Sequence, residues 1–194
     1  QYKVAKFSFE SLNIGDGVSV NLSGDNPIHF DVTGDATISA VLDANGTAGN
    51  MVYQSVFVNG NLGGGQGGKS WSNNTSFNNV APENGTGPTH LVGSSPFNSA
   101  GSRKKNSGGT WTGLIAGTGA GGGGYGGEGA RAEPNGGTDS RGSVAIAGQA
   151  YGNINVDALL AGSGGGGGTE AQGGTGAGAI KITAGGTLTI GADI

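Results

Sequence analysis

Residues 162–168 read Gly-Ser-Gly-Gly-Gly-Gly-Gly, and residues 121–129 read Gly-Gly-Gly-Gly-Tyr-Gly-Gly-Glu-Gly. Such runs constrain the fold more than anything else in the chain. A glycine run has no side chains to bury, and it loses more conformational freedom on ordering than any other sequence. It has one compensating ability, which is to lie against another backbone closer than a Cβ allows. Extended left-handed helices with three residues per turn make no internal hydrogen bonds, so their N–H and C=O groups need partners from neighbouring strands. Gly121–Gly129, Gly162–Gly168 and Gly173–Gly178 are therefore expected to be polyglycine-II-like segments, bundled together or laid against the rest of the fold.

The glycine count is 46 in 194 residues, and glycine without a strict G-X-Y period usually signals low complexity or disorder. The chain is long enough for one domain with a core. There is no cysteine, which removes disulfides, thiolate metal sites and thiol nucleophiles. No apolar run approaches the length of a membrane-spanning helix. The formal charge is −4, and the basic residues are scattered apart from Arg103-Lys104-Lys105. Nucleic-acid binding calls for a basic face interleaved with aromatics, and the sequence displays neither. The first residue is Gln1 and the single methionine is Met51. With the Asn/Thr/Ser/Gly-rich, lysine-poor composition, this suits a mature secreted chain.

Three zones organise the single domain. Residues 1–62 are strand-rich. Leu12/Ile14, Val18/Val20/Leu22, Ile28/Phe30/Val32 and Ile38/Ala40/Leu42 alternate with polar residues, and Gly15-Asp16-Gly17, Gly24-Asp25-Asn26-Pro27, Gly34-Asp35 and Asn45-Gly46 separate them. Short alternating runs at such spacing predict an all-β protein with one buried face per strand. Residues 63–178 form a glycine-rich insert, with Trp71, Phe77, Phe97 and Trp111 as isolated anchors and a short strand or helix near Val156–Leu160. Residues 179–194 repeat part of the first zone. "FDVTGDATISAVLDA" (30–44) superposes on "IKITAGGTLTIGADI" (180–194) with Thr33 on Thr183, Thr37 on Thr187 and Ile38 on Leu188. "SLNIGDGVSVNL" echoes the same unit. Repeated strand–turn–strand units predict stacked, parallel β-solenoid-like coils.

"GGGQGGKS" (63–70) fits the phosphate-loop pattern G-x-x-x-x-G-K-[ST]. That motif works only when a helix follows at once and turns its positive end to the anion. The downstream residues have no helical period and are interrupted by Pro82 and Pro88, so Lys69 and Ser70 read as part of a glycine-rich loop. His29 falls on the outward side of a strand and His90 follows Pro88 in a loop; neither has metal-ligand spacing. Asp16, Asp25, Asp35 and Asp43 sit at turns, where aspartate is ordinary turn chemistry, and the calcium-binding G-G-x-G-x-D repeat is absent. Asn21, Asn45, Asn73, Asn74 and Asn84 begin N-x-[ST] sequons. No cofactor, metal or catalytic residue is assigned.

"GQAYGNINVDALLAGSGGGGG" followed by "GGTGAGAIKITAGGTLTIGADI", with "PIHFDVTGDATISAVLDANG" as partner block, resembles glycine-rich bacterial extracellular proteins of parallel β-helix or solenoid type. The resemblance covers residues 27–49 and 148–194. It implies a surface or matrix protein, often without an assigned activity. The expected function is an extracellular structural subunit that assembles head-to-tail into a filament or matrix, with itself as partner. Phe7, Phe9, Leu12 and Ile14 at one end and Ile180, Ile182, Leu188 and Ile190 at the other are the expected assembly surface. The alternative is a cell-surface adhesin or carbohydrate-binding module contacting a polysaccharide or glycan through residues 69–112, with Trp71 and Trp111 as a stacking surface. Behind it stand an ice-binding protein, suggested by Thr187 and Thr189, and a polysaccharide-acting enzyme.

Overall fold

The computed structural model describes residues 3–49, 59–69, 85–88, 150–151, 159–167 and 172–191. Within them the regular structure is all β, without helix. The strands are β1 (Ala5–Phe9), β2 (Leu12–Ile14), β3 (Val20–Asn21), β4 (Ile28–Val32), β5 (Ala36–Ile38), β6 (Leu42–Asp43), β7 (Ile180–Ala184) and β8 (Leu188–Ile190). They pair in three sheets with the orders β1-β4-β7, β2-β5-β8 and β3-β6. Every pairing is parallel. A parallel pair needs a long crossover. Between β1 and β4 that crossover is made of β2 and β3, so one pass of the chain contributes one strand to each sheet and the next pass lies on top of it.

Alternation decides which side chains point inward. In β4, Ile28, Phe30 and Val32 are buried while His29 and Asp31 are half-buried on the other face. In β5, Ala36 and Ile38 are fully buried and Thr37 lies outward. Branched and aromatic residues suit this pleated, one-sided surface. Ile28, Phe30, Ile38, Leu42 and Leu62 form the core, and Phe9, Leu12, Ile14, Ile180 and Ile182 pack around them. The middle pass is covered from both sides, which is why it supplies nearly all of this core. Val18, expected to share a strand with Val20, instead lies at a corner before β3 and is exposed. Residues 39–41 form a second corner between β5 and β6, which divides the run Ile38/Ala40/Leu42.

The internal repeat is real in space but its register differs from the sequence superposition. Asp31 faces Thr183, Thr37 faces Thr189 and Ile38 faces Ile190, two residues from the expected partners. A slip of two keeps every side chain on its own face, so hydrophobic alternation cannot distinguish the two registers. The bend distinguishes them. The Gly185 N–H donates to the Val32 carbonyl at 2.9 Å and the Gly186 N–H to the Gly34 carbonyl at 3.0 Å. Glycine must sit over the bend there, because a Cβ on Gly185 would strike the Thr33 carbonyl oxygen.

The described glycine-rich segments are held by backbone hydrogen bonds to one another. Gly65 and Gly68 each donate at 2.8 Å, to Gly162 and Gly165 respectively. Gly162 and Gly165 donate in turn to Ala177 and Gly174, at 2.8 and 2.9 Å. Gly173 and Gly176 return the bonds to Gly68 and Gly65, both at 2.9 Å, and Ala179 donates to Leu62 at 3.2 Å. The cycle closes over three segments, two running together and the third against them. Residues 44–47 join it, the Thr47 carbonyl accepting from the Thr175 N–H at 2.9 Å, the Thr47 N–H donating to the Thr175 hydroxyl at 2.7 Å, and the Ala44 carbonyl accepting from Gly178 at 2.7 Å. Gly164 donates to Thr86 at 3.0 Å, and Thr86 to Gln66 at 2.9 Å. Towards any one neighbouring segment the bonded donors step by three residues, as Gly65 and Gly68 do towards Gly162 and Gly165. The expected segments Gly162–Gly168 and Gly173–Gly178 therefore take part over their described residues, and Gly121–Gly129 lies outside the described residues. Residues 63–68, read from the sequence as part of a loop, form the third member.

Candidate assembly surface

The eight residues expected at the assembly surface fall on two opposite edges. Phe7, Phe9, Leu12 and Ile14 belong to the first pass, in β1 and β2; Ile180, Ile182, Leu188 and Ile190 belong to the last, in β7 and β8. All eight occupy inward-facing positions, in register with Ile28, Phe30, Val32, Ala36 or Ile38 of the middle pass. Five of them are half-buried against the core. Phe7, Leu188 and Ile190 are 47%, 41% and 47% exposed, although their register partners Phe30, Ala36 and Ile38 are buried. The difference is positional. Phe7 packs against Phe30 with ring centroids 6.0 Å apart, and Phe9 does so at 6.1 Å, but nothing in the described residues continues the stack beyond them. Among the described residues β1 and β7 each have one strand neighbour, so each presents a row of backbone groups on its outer side. Such an edge is a template for another strand.

Among the described residues the third sheet has one strand fewer than the others. Over β6 lies a groove of about 440 Å³ whose lining includes Val41, Leu42, Asn45, Ala177, Gly178 and Ile180. Val41 is 59% exposed beside it.

The outward side of the first sheet carries a polar network that the sequence reading missed. Lys6 Nζ lies 2.6 Å from Asp31 Oδ2. The Thr183 hydroxyl donates to Asp31 Oδ1 at 2.7 Å, and His29 Nε2 lies 3.0 Å from Thr183 Oγ1. The single hydroxyl proton is engaged by Asp31, so His29 is the donor to Thr183, with its proton on Nε2. The Lys6 and Thr183 hydrogen bonds hold the Asp31 carboxyl below the usual aspartate range. The sequence carries no signal for this cluster, since its superposition sets Asp31 on Lys181; the observed register places Lys6, His29 and Lys181 in one row and Ser8, Asp31 and Thr183 in the next.

Gly63–Lys69 does not cradle phosphate. The N–H groups of Gly64, Gly65 and Gly68 donate to the carbonyls of Asn61, Gly162 and Gly165, and that of Gln66 to the Thr86 hydroxyl. A phosphate loop must leave those donors free. Asp43 accepts from the Asn45 N–H at 2.9 Å, which is local turn chemistry, whereas Asp35 accepts from the Thr187 N–H at 2.7 Å, a bond to a distant part of the chain. Among the described residues no group of three or more His, Asp or Glu side chains is placed to hold a metal ion, and no helix is long and apolar enough to cross a membrane. His90, Trp71, Phe77, Phe97, Trp111, Arg103-Lys104-Lys105 and the sequons at Asn73, Asn74 and Asn84 lie outside the described residues. Compared with known proteins, the chain matches no family model, no curated protein and no solved structure.

Proposed function

We propose that this chain is an extracellular structural subunit that polymerises head-to-tail, the first pass of one copy stacking on the last pass of the next. In this reading the parallel passes are the coils of a β-solenoid, and the glycine segments are a polyglycine-II-like bundle that stiffens it. One observation carries the reading. The two outer edges are the ends of the same parallel ladder, with the same strand direction and the same inward residue types. Adding a copy in the existing register puts Phe7 over Ile182, Leu12 over Leu188 and Ile14 over Ile190, apolar on apolar at every inward position. The contact is heterologous and leaves a fresh edge each time, so it extends rather than closes. The secreted location rests on the polar, lysine-poor composition and on the resemblance to glycine-rich bacterial surface proteins.

Electron microscopy and light scattering of the purified chain test this. Filaments are expected, with an axial rise of about 14 Å per copy from three strand spacings. Phe7→Lys or Ile190→Lys is expected to give monomers that keep the wild-type circular dichroism spectrum. A wild-type chain that stays monomeric at high concentration overturns the proposal, as do filaments that tolerate both substitutions.

A further inference from the structure

We propose that the outward face of the first sheet, β1-β4-β7, binds an acidic polysaccharide through the row Lys6, His29 and Lys181. The three residues are directly in register on adjacent strands. Neighbouring strands are about 4.8 Å apart, so the row spans about 10 Å at the backbone, with the Lys6 ammonium turned towards Asp31 in the next row and shared with it. The chain as a whole is acidic, with formal charge −4. Against the three basic positions this face sets one carboxylate, Asp31, and both of its oxygens are already engaged, by Lys6 and by Thr183. Among the described residues Lys181 has no such counter-ion. His29 donates its Nε2–H to Thr183, which leaves Nδ1 as an acceptor for a sugar hydroxyl.

A linear polymer with carboxylates at sugar-length intervals complements a flat row of this kind. Ser8 and Thr183 flank the row with hydroxyl groups in the neighbouring positions. The aromatic residues of the sheet, Phe7, Phe9 and Phe30, pack together at the inward positions. Single-stranded nucleic acid relies on aromatic platforms for its bases, and this face has none, so hydroxyl-rich sugar is the better fit. The inference uses the register within one chain and does not depend on polymerisation.

Fluorescence anisotropy with labelled polygalacturonate, neutral dextran and a single-stranded oligonucleotide tests it, at protein dilutions where light scattering reports single chains. Polygalacturonate is expected to bind in preference to the other two, with affinity falling steeply as salt rises. Lys181→Gln is expected to weaken it about threefold to tenfold and to reduce the salt slope by about one. Lys6→Gln should weaken it further, since it removes a cation and uncovers the Asp31 charge. Equal affinity for the oligonucleotide overturns the sugar assignment. No binding, or binding indifferent to Lys181→Gln, overturns the site. Failure of the chain to form filaments leaves these readouts intact.

Discussion

The Gly65 N–H donates to the Gly162 carbonyl at 2.8 Å, backbone to backbone, joining parts of the chain that are distant in sequence. Around this contact there is no room for a side chain. A Cβ on Gly164 would fall on the Gln66 carbonyl and one on Gly176 on the Gly162 carbonyl. Gly164→Ala and Gly176→Ala are therefore expected to destabilise the protein by about 1–3 kcal/mol or more, as overpacking does. Gly15 provides the contrast, because a Cβ there meets nothing within 4 Å and the backbone is not left-handed. Gly15→Ala should be neutral or stabilise by about 0.4–1 kcal/mol through the unfolded chain. Urea unfolding of the three variants checks the ranking; equal midpoints would rule out close backbone packing.

Leu62 connects the strand core to the glycine segments. It is fully buried, its N–H donates to Gly24 at 2.7 Å, and its φ of 48° lies in the left-handed region. That conformation costs a non-glycine residue about 1–2 kcal/mol, held here by burial among Ile28, Phe30, Ile38 and Leu42. Leu62→Ala should lose about 2–5 kcal/mol by calorimetry. Leu62→Gly relieves the backbone strain as well as emptying the site, so it should be less harmful relative to Leu62→Ala than glycine is elsewhere.

The Tyr151 hydroxyl donates to the buried Ala161 carbonyl at 2.6 Å, next to the second apolar cluster of Leu159, Ala161 and Ala179. Tyr151→Phe keeps the ring and removes the donor. It should cost about 1–3 kcal/mol in thermal unfolding, the penalty of leaving a buried acceptor unmatched.

Acid should weaken the first sheet through Asp31. Its folded pKa is lowered, first by the hydrogen bond from Lys6 and then by that from Thr183. The stabilisation is therefore present above the unfolded value, about pH 4, and is lost as pH falls through the lower folded value. Asp31→Asn should show a smaller drop in Tm than wild type on acidification below about pH 4. Parallel Tm-against-pH curves for the two proteins would remove Asp31 from the account.

The sequence by itself determined the all-β class, because the alternation in 12–14 and 28–32 allows one buried face per strand. It also determined that 180–190 repeats the first zone, and that glycine runs can be ordered only by sharing hydrogen bonds between backbones. Only the tertiary structure decided the register of that repeat, because a two-residue slip leaves every hydrophobic residue on its face and the bend at Gly34 and Gly186 is what breaks the tie. It alone showed that residues 64–68 of the nucleotide-like motif are hydrogen-bonded into the glycine segments, since glycine carries no pattern that names its partner. It alone brought Lys6, His29, Asp31 and Thr183 together. Charges on separate passes of the chain have no fixed spacing in sequence, and meet only once parallel strands have been set side by side.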